Sequence, residues 1–152
     1  MGKAAIIFPD YSGTLLPVNL SPPTFALTDS TESLDNLQAV FSSGGECIVV
    51  ASEGEDGFCL SESDWKILKE NSQTISVTIQ GKRKGKWVEY EPFDIHISPD
   101  YIDNTLVYRL IEPGYEVWNE MGIYQRNVEN YDEESIITNR QTDGGCMNCH
   151  SF

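Results

Sequence analysis

The chain has 152 residues, of which 39% are hydrophobic and 11% aromatic. That is enough for one ordinary domain with a real core, or one domain plus a structured extension, and too apolar for a disordered chain. Acidic side chains outnumber basic ones 24 to 10, a formal net charge of -14 that disfavours nucleic-acid phosphates and anionic membranes as partners.

No apolar run approaches the roughly 20 residues of a membrane-spanning helix, so no transmembrane segment is expected. Many short apolar stretches lie between turn residues, and almost none has helical periodicity. Strands are predicted first at residues 4–8, 15–20, 25–28, 37–42, 47–52 and 57–60. The next stretch, "SESDWKILKEN", reads as a short crossover helix. Its serines and aspartate are available to cap the start, and Trp65 and Leu68 at i, i+3 share a face for the core.

Strands resume at residues 74–80, 86–97 and 105–111. In "TISVTIQ" the residues Ile75, Val77 and Ile79 point one way and Ser76, Thr78 and Gln80 the other. "FDIHIS" separates Phe93, Ile95 and Ile97 from Asp94, His96 and Ser98 in the same manner. "GKRKGK" between such runs predicts a glycine-bounded hairpin loop. The pattern predicts an all-β fold: an immunoglobulin- or fibronectin-like β-sandwich over residues 3–112 with one short helix. After "IEPGYE" the texture turns polar, acidic and aromatic-punctuated. Residues 113–152 are therefore expected to form an irregular C-terminal extension that packs on the sandwich, with one strand at 121–128.

Cys47 and Cys59 lie in two strand-like runs separated by the acidic turn "EGEDG". They could pair across a hairpin in an oxidising compartment, or be buried thiols acting as small apolar residues.

The chain closes on "GGCMNCHSF", the pattern of a c-type haem attachment site. Two thiols on a tight turn reach the two vinyl groups of one porphyrin, and the adjacent imidazole falls under the iron. This assigns thioether links to Cys146 and Cys149 and proximal ligation to His150, with haem c as cofactor. Half a zinc site, a redox CxxC and coincidence compete with that reading; a zinc site would want a second CxxC or a His pair. For the sixth ligand the candidates are Met121 and His96. Met121 is as easily a packing methionine, and His96 alternates onto the polar face of its strand. Met147, inside the attachment turn, is poorly placed to reach the opposite haem face.

Covalent haem attachment is an extracytoplasmic modification, whereas "MGKAAIIFPDY" is too short an apolar patch for a secretory signal. A removed signal and a periplasmic or cell-envelope location are the expectation.

Trp87, Tyr90, Tyr108, Tyr115, Trp118 and Tyr124 could stack on sugars, although core and inter-sheet packing is the commoner use of such residues. "EGEDG" and "NYDEE" lack the alternating oxygen-ligand spacing of a calcium loop and read as exposed acidic turns. No serine, histidine and carboxylate set and no glycine-rich phosphate loop is evident, so enzymatic activity is not expected.

"YIDNTLVYRLIEPGYEVWNEMGIYQRNVENYDEE" followed by "GGCMNCHSF" resembles a family of bacterial secreted proteins labelled TolB-like or cytochrome c biosynthesis proteins. In that family a leading β-domain of this size runs into a "CMNCHSF"-type segment, and a β-propeller of WD40-like (PD40) repeats follows. The resemblance covers most of the chain and is strongest over residues 99–152. It implies that this chain is the front end of a longer protein with the propeller downstream, and it carries over to Cys146, Cys149 and His150.

The expectation is thus a non-enzymatic envelope domain of a larger c-type cytochrome-like protein. It would position haem for electron transfer or redox sensing before a redox or envelope partner. The alternative is a protein- or glycan-interaction domain whose CxxCH is a structural or metal-binding hinge.

Overall fold

The computed structural model describes residues 7–8, 10–27, 36–52, 57–110 and 121–142. The first half holds β1 (Ile7–Phe8), β2 (Leu15–Pro17), β3 (Thr24–Leu27), β4 (Asn36–Ser43), β5 (Glu46–Ala51), β6 (Gly57–Cys59) and helix α1 (Glu62–Asn71). There follow β7 (Thr74–Arg83), β8 (Lys86–Glu89), β9 (Phe93–Ser98), β10 (Thr105–Leu110), β11 (Gly122–Asn127), β12 (Glu133–Thr138) and a 3-10 turn, Asn139–Thr142. Contacts divide the chain into two compact units, Met1–Ile102 and Asp103–Phe152.

The first unit is an all-β, sandwich-like structure. Its larger sheet runs β2-β9-β7-β4-β5, with β8 also paired to β7, and the smaller runs β1-β3-β6. All these pairings are antiparallel except β2 with β9. Alternation decides which side of the large sheet is dry. Ala39 and Phe41 of β4 lie opposite Ile79 and Val77 of β7, and Ile75 lies opposite Ile95 of β9. These residues join one core cluster with Phe25 and Phe58 of the small sheet and Trp65 and Leu68 of α1. The small sheet and the helix together supply the second layer.

Helix α1 forms where the sequence placed it. Ser61 caps it by accepting from the Asp64 amide at 3.1 Å, and Glu62 and Asp64 lie in the first turn, where the helix dipole favours negative charge. The buried Trp65 donates its indole N–H to the Leu20 carbonyl at 2.8 Å, so its polar edge is not stranded. Complete burial of Leu68 contributes roughly 1.5–3 kcal/mol relative to exposure.

Two hairpins close on two-residue loops: Gly44 and Gly45 between β4 and β5, Lys84 and Gly85 between β7 and β8. All four have positive φ, as a type I′ turn requires of both central residues. "GKRKGK" is therefore mostly strand, and only its central Lys84 and Gly85 make the turn.

The run expected at 86–97 is broken in two. Tyr90 still donates its amide to Ile79 at 2.9 Å, but Pro92 has no N–H to offer a ladder. β8 then lines the second half of β7 and β9 its first half. β10, assigned to the sandwich by its pattern, pairs instead with β11 in the second unit. That unit is an antiparallel β10-β11-β12 meander. Its described part of the extension carries two strands where one was expected, the addition being β12, "EESIIT".

Candidate functional site

Cys146, Cys149 and His150 lie outside the described residues. Their donor set nonetheless fits haem c: two thiols, three positions apart, for two vinyl carbons, and an adjacent imidazole for the iron. The last described element before them is the 3-10 turn ending at Thr142. It is tied to the start of β11, where Asn139 donates its amide to the Met121 carbonyl at 3.1 Å.

Met121, the sixth-ligand candidate, is 5% exposed. The next residue is a closely packed glycine: a Cβ on Gly122 would meet the Tyr124 ring at 2.6 Å and the Ile137 carbonyl oxygen at 3.2 Å, so that ring would have to shift. The Met121 thioether is therefore a covered group beside a tightly built strand start. His96 takes the polar face of β9, as its alternation required. It is half-buried, and its Nδ1 lies 3.3 Å from Oγ1 of Thr74, its neighbour in the β7–β9 register.

Both remaining cysteines are exposed, which excludes the buried-thiol reading. Cys47 lies opposite Ser42 in the large sheet and Cys59 opposite Thr24 in the small one, so no hairpin brings them together. Cys59 places its Sγ 3.6 Å from the Leu60 carbonyl.

The six aromatic residues separate. Tyr90 is buried in the core, and Tyr115 and Trp118 fall outside the described residues. Tyr108 and Tyr124 are half-buried and stack at 6.3 Å across β10 and β11. Trp87 is 51% exposed. Of the acidic turns, residues 53–56 lie outside the described residues. In the other, Asn127 and Asn130 use their side-chain oxygens to accept the amides of Glu129 and Asp132 at 2.9 and 2.8 Å. Those oxygens close the turn and do not converge on an ion. Among the described residues no group of three His, Cys, Asp or Glu side chains is arranged to hold a metal.

A polar row not anticipated from the sequence crosses the outer face of the large sheet. Gln38 of β4 donates to Oε1 of Gln80 on β7 at 2.6 Å, and Gln80 donates to Oε2 of Glu89 on β8 at 3.2 Å. The next row toward the hairpin turn holds Lys82 and Trp87, paired in register, with the Lys82 Nζ 6.0 Å from the ring centroid. The outward placing of Gln80 was readable from alternation, whereas the sequence pattern puts Lys82 in the hairpin loop. The partners of Gln80, 42 residues before it and nine after it, were not readable.

No protein-family model matches the chain, and no curated protein matches it.

Proposed function

We propose that this chain is a non-enzymatic, cell-envelope β-sandwich domain of a larger c-type cytochrome-like protein. It carries haem c at Cys146 and Cys149, with His150 as proximal ligand, for electron transfer or redox sensing. The reading is carried by one observation, the run "CMNCH", in which the residue types and their spacing match the two vinyl groups and the axial position of one porphyrin. When bound, the haem supplies a one-electron iron couple. The chain's own part is to hold it at two covalent points and fix the proximal imidazole. A TolB-like protein with a propeller following the motif is the larger setting to which the resemblance points.

The test is expression of the chain behind an export signal together with a haem-maturation system, followed by a pyridine haemochrome spectrum. A c-type spectrum is expected from the parent chain and none from the Cys146→Ser, Cys149→Ser double variant. Absence of covalent haem from the parent, with both cysteines recovered as thiols or as a disulfide, would sink the proposal. Stoichiometric zinc on elemental analysis would replace it with the metal-binding hinge.

A further inference from the structure

The β7–β8 hairpin runs against the charge of the molecule that bears it. Lys82, Arg83, Lys84 and Lys86 are four of the chain's 10 basic residues, gathered within five positions of a sequence whose formal charge is -14. Screening limits the reach of surface charge to about 8 Å at physiological ionic strength, so an anion at this turn responds to the hairpin's own side chains, these cations and the carboxylate of Glu89, more than to the net charge of the chain. Beside the cations stands the half-exposed indole of Trp87. A solubilising loop has no need of an exposed indole.

The neighbouring row gives the patch its chemistry. Gln38, Gln80 and Glu89 form a directed hydrogen-bond chain across three strands. Each amide keeps a second N–H, the Gln38 carbonyl oxygen is available to accept, and Glu89 retains its other oxygen. Strands lie about 4.8 Å apart and successive outward residues about 7 Å apart. The two rows thus make a flat plate on the order of 10 by 7 Å, the area of one or two pyranose rings. Planar amides and a carboxylate in one plane suit vicinal hydroxyls, and an indole suits the C–H face of a sugar.

We infer that this face, formed by Trp87, Lys82, Gln80, Gln38 and Glu89, binds an acidic glycan of the polyuronate class. Trp87 stacks on a pyranose ring, Lys82 and the turn residue Lys84 draw the sugar carboxylates, and the Gln80–Gln38 row with Glu89 takes hydroxyls. Glu89 sets the direction of the chain: a uronate fits at the Lys82 end, and only a neutral hydroxyl edge fits at the Glu89 end. A lipid surface suits the face less well, because burying Trp87 in acyl chains would dehydrate Gln80 and Glu89 beside it. The inference rests on the first unit alone and stands or falls separately from the haem.

The test uses the intact chain in affinity electrophoresis through gels containing polygalacturonate, dextran sulfate or neutral dextran, with sedimentation on phosphatidylglycerol vesicles alongside. Polygalacturonate is expected to retard the parent chain, less so as salt rises, and neutral dextran to leave it unretarded. Trp87→Ala should weaken retention about tenfold, the worth of one aromatic stack, with an unchanged far-ultraviolet circular dichroism spectrum. The double variant Lys82→Gln, Lys84→Gln leaves the indole in place and should weaken it by at least as much; it carries the test should Trp87→Ala fail to fold. The inference is overturned if polygalacturonate does not retard the parent chain, or if the double variant is retained like the parent. Equal retention on dextran sulfate that Trp87→Ala leaves untouched would reduce the patch to bare charge. Binding to vesicles without binding to polygalacturonate would make the partner a membrane.

Discussion

Tyr108 donates its hydroxyl hydrogen to Oε2 of Glu133 across the meander, on the sheet face where its ring stacks on Tyr124. Ionising the phenol would forfeit that bond and set a second negative charge beside the carboxylate, so the Tyr108 pKa is raised above the ordinary 10.0, the hydrogen bond being the larger cause. Since the neutral form is favoured in the folded protein, the stabilisation is fully present below the ordinary pKa and is lost as pH rises through the folded one. Spectrophotometric titration should show one high-pH phenol transition moving down in Glu133→Ala and disappearing in Tyr108→Phe. Superimposable curves for the parent and Glu133→Ala would refute the pairing. The sequence marked Tyr108 as an aromatic and Glu133 as part of an acidic turn, but nothing in it paired them. They are 25 positions apart, and their meeting depends on a register that shifts between Ile123 and Tyr124.

At the scale of the element, the two tight hairpins look alike in sequence and differ in surroundings. Gly44 and Gly85 both have positive φ, which L-residues adopt only with strain. A Cβ on Gly85 would meet open space, whereas one on Gly44 would lie 2.5 Å from the Asn71 carbonyl oxygen at the end of α1. Gly85→Ala should therefore cost about 1 kcal/mol, the backbone penalty alone. Gly44→Ala should cost at least about 2–3 kcal/mol, because the helix end or the hairpin must also move. Urea denaturation checks the order, and equal midpoints for the two variants would contradict it. "SSGGEC" announced a turn, and nothing in it announced a helix terminus against that turn. Likewise "EYEPFD" contained the proline that splits β8 from β9, but the flanking alternation was regular enough to read as one strand.

For the first unit as a whole, the sandwich-like core makes the inner and outer faces of one sheet respond differently to substitution. Phe41 is fully buried among Phe25, Ala39 and Val77, while Leu15, on β2 of the same sheet, is 64% exposed. Phe41→Ala should destabilise this unit by about 3–5 kcal/mol through lost transfer energy and a cavity. Leu15→Ser should stay within about 0.5 kcal/mol. Matching losses in chemical denaturation would mean that the faces are wrongly assigned. The division at Ile102 differs from the expected boundary at 112 because β10 finds its partner in β11. The pattern of β10, "TLVYRL", suits either sheet equally well.

By itself the sequence determined what local chemistry can determine. Period-two alternation placed Ile75, Val77, Ile79, Phe93, Ile95 and Ile97 inward and His96 outward, and Ser61 with Trp65 and Leu68 set the start and buried face of α1. The haem reading of "CMNCH" rests on residue types and spacing alone and remains the proposal that the haemochrome spectrum tests. Strand partnership was decided only by tertiary structure: β10 with β11, β2 parallel to β9, and Gln38, Gln80 and Glu89 in one row. Alternation says which side of a strand is dry and carries no information about which strand lies 4.8 Å away. That choice is made among segments tens of residues apart by the packing of the whole layer, and it is the choice that built the outer-face plate beside Trp87.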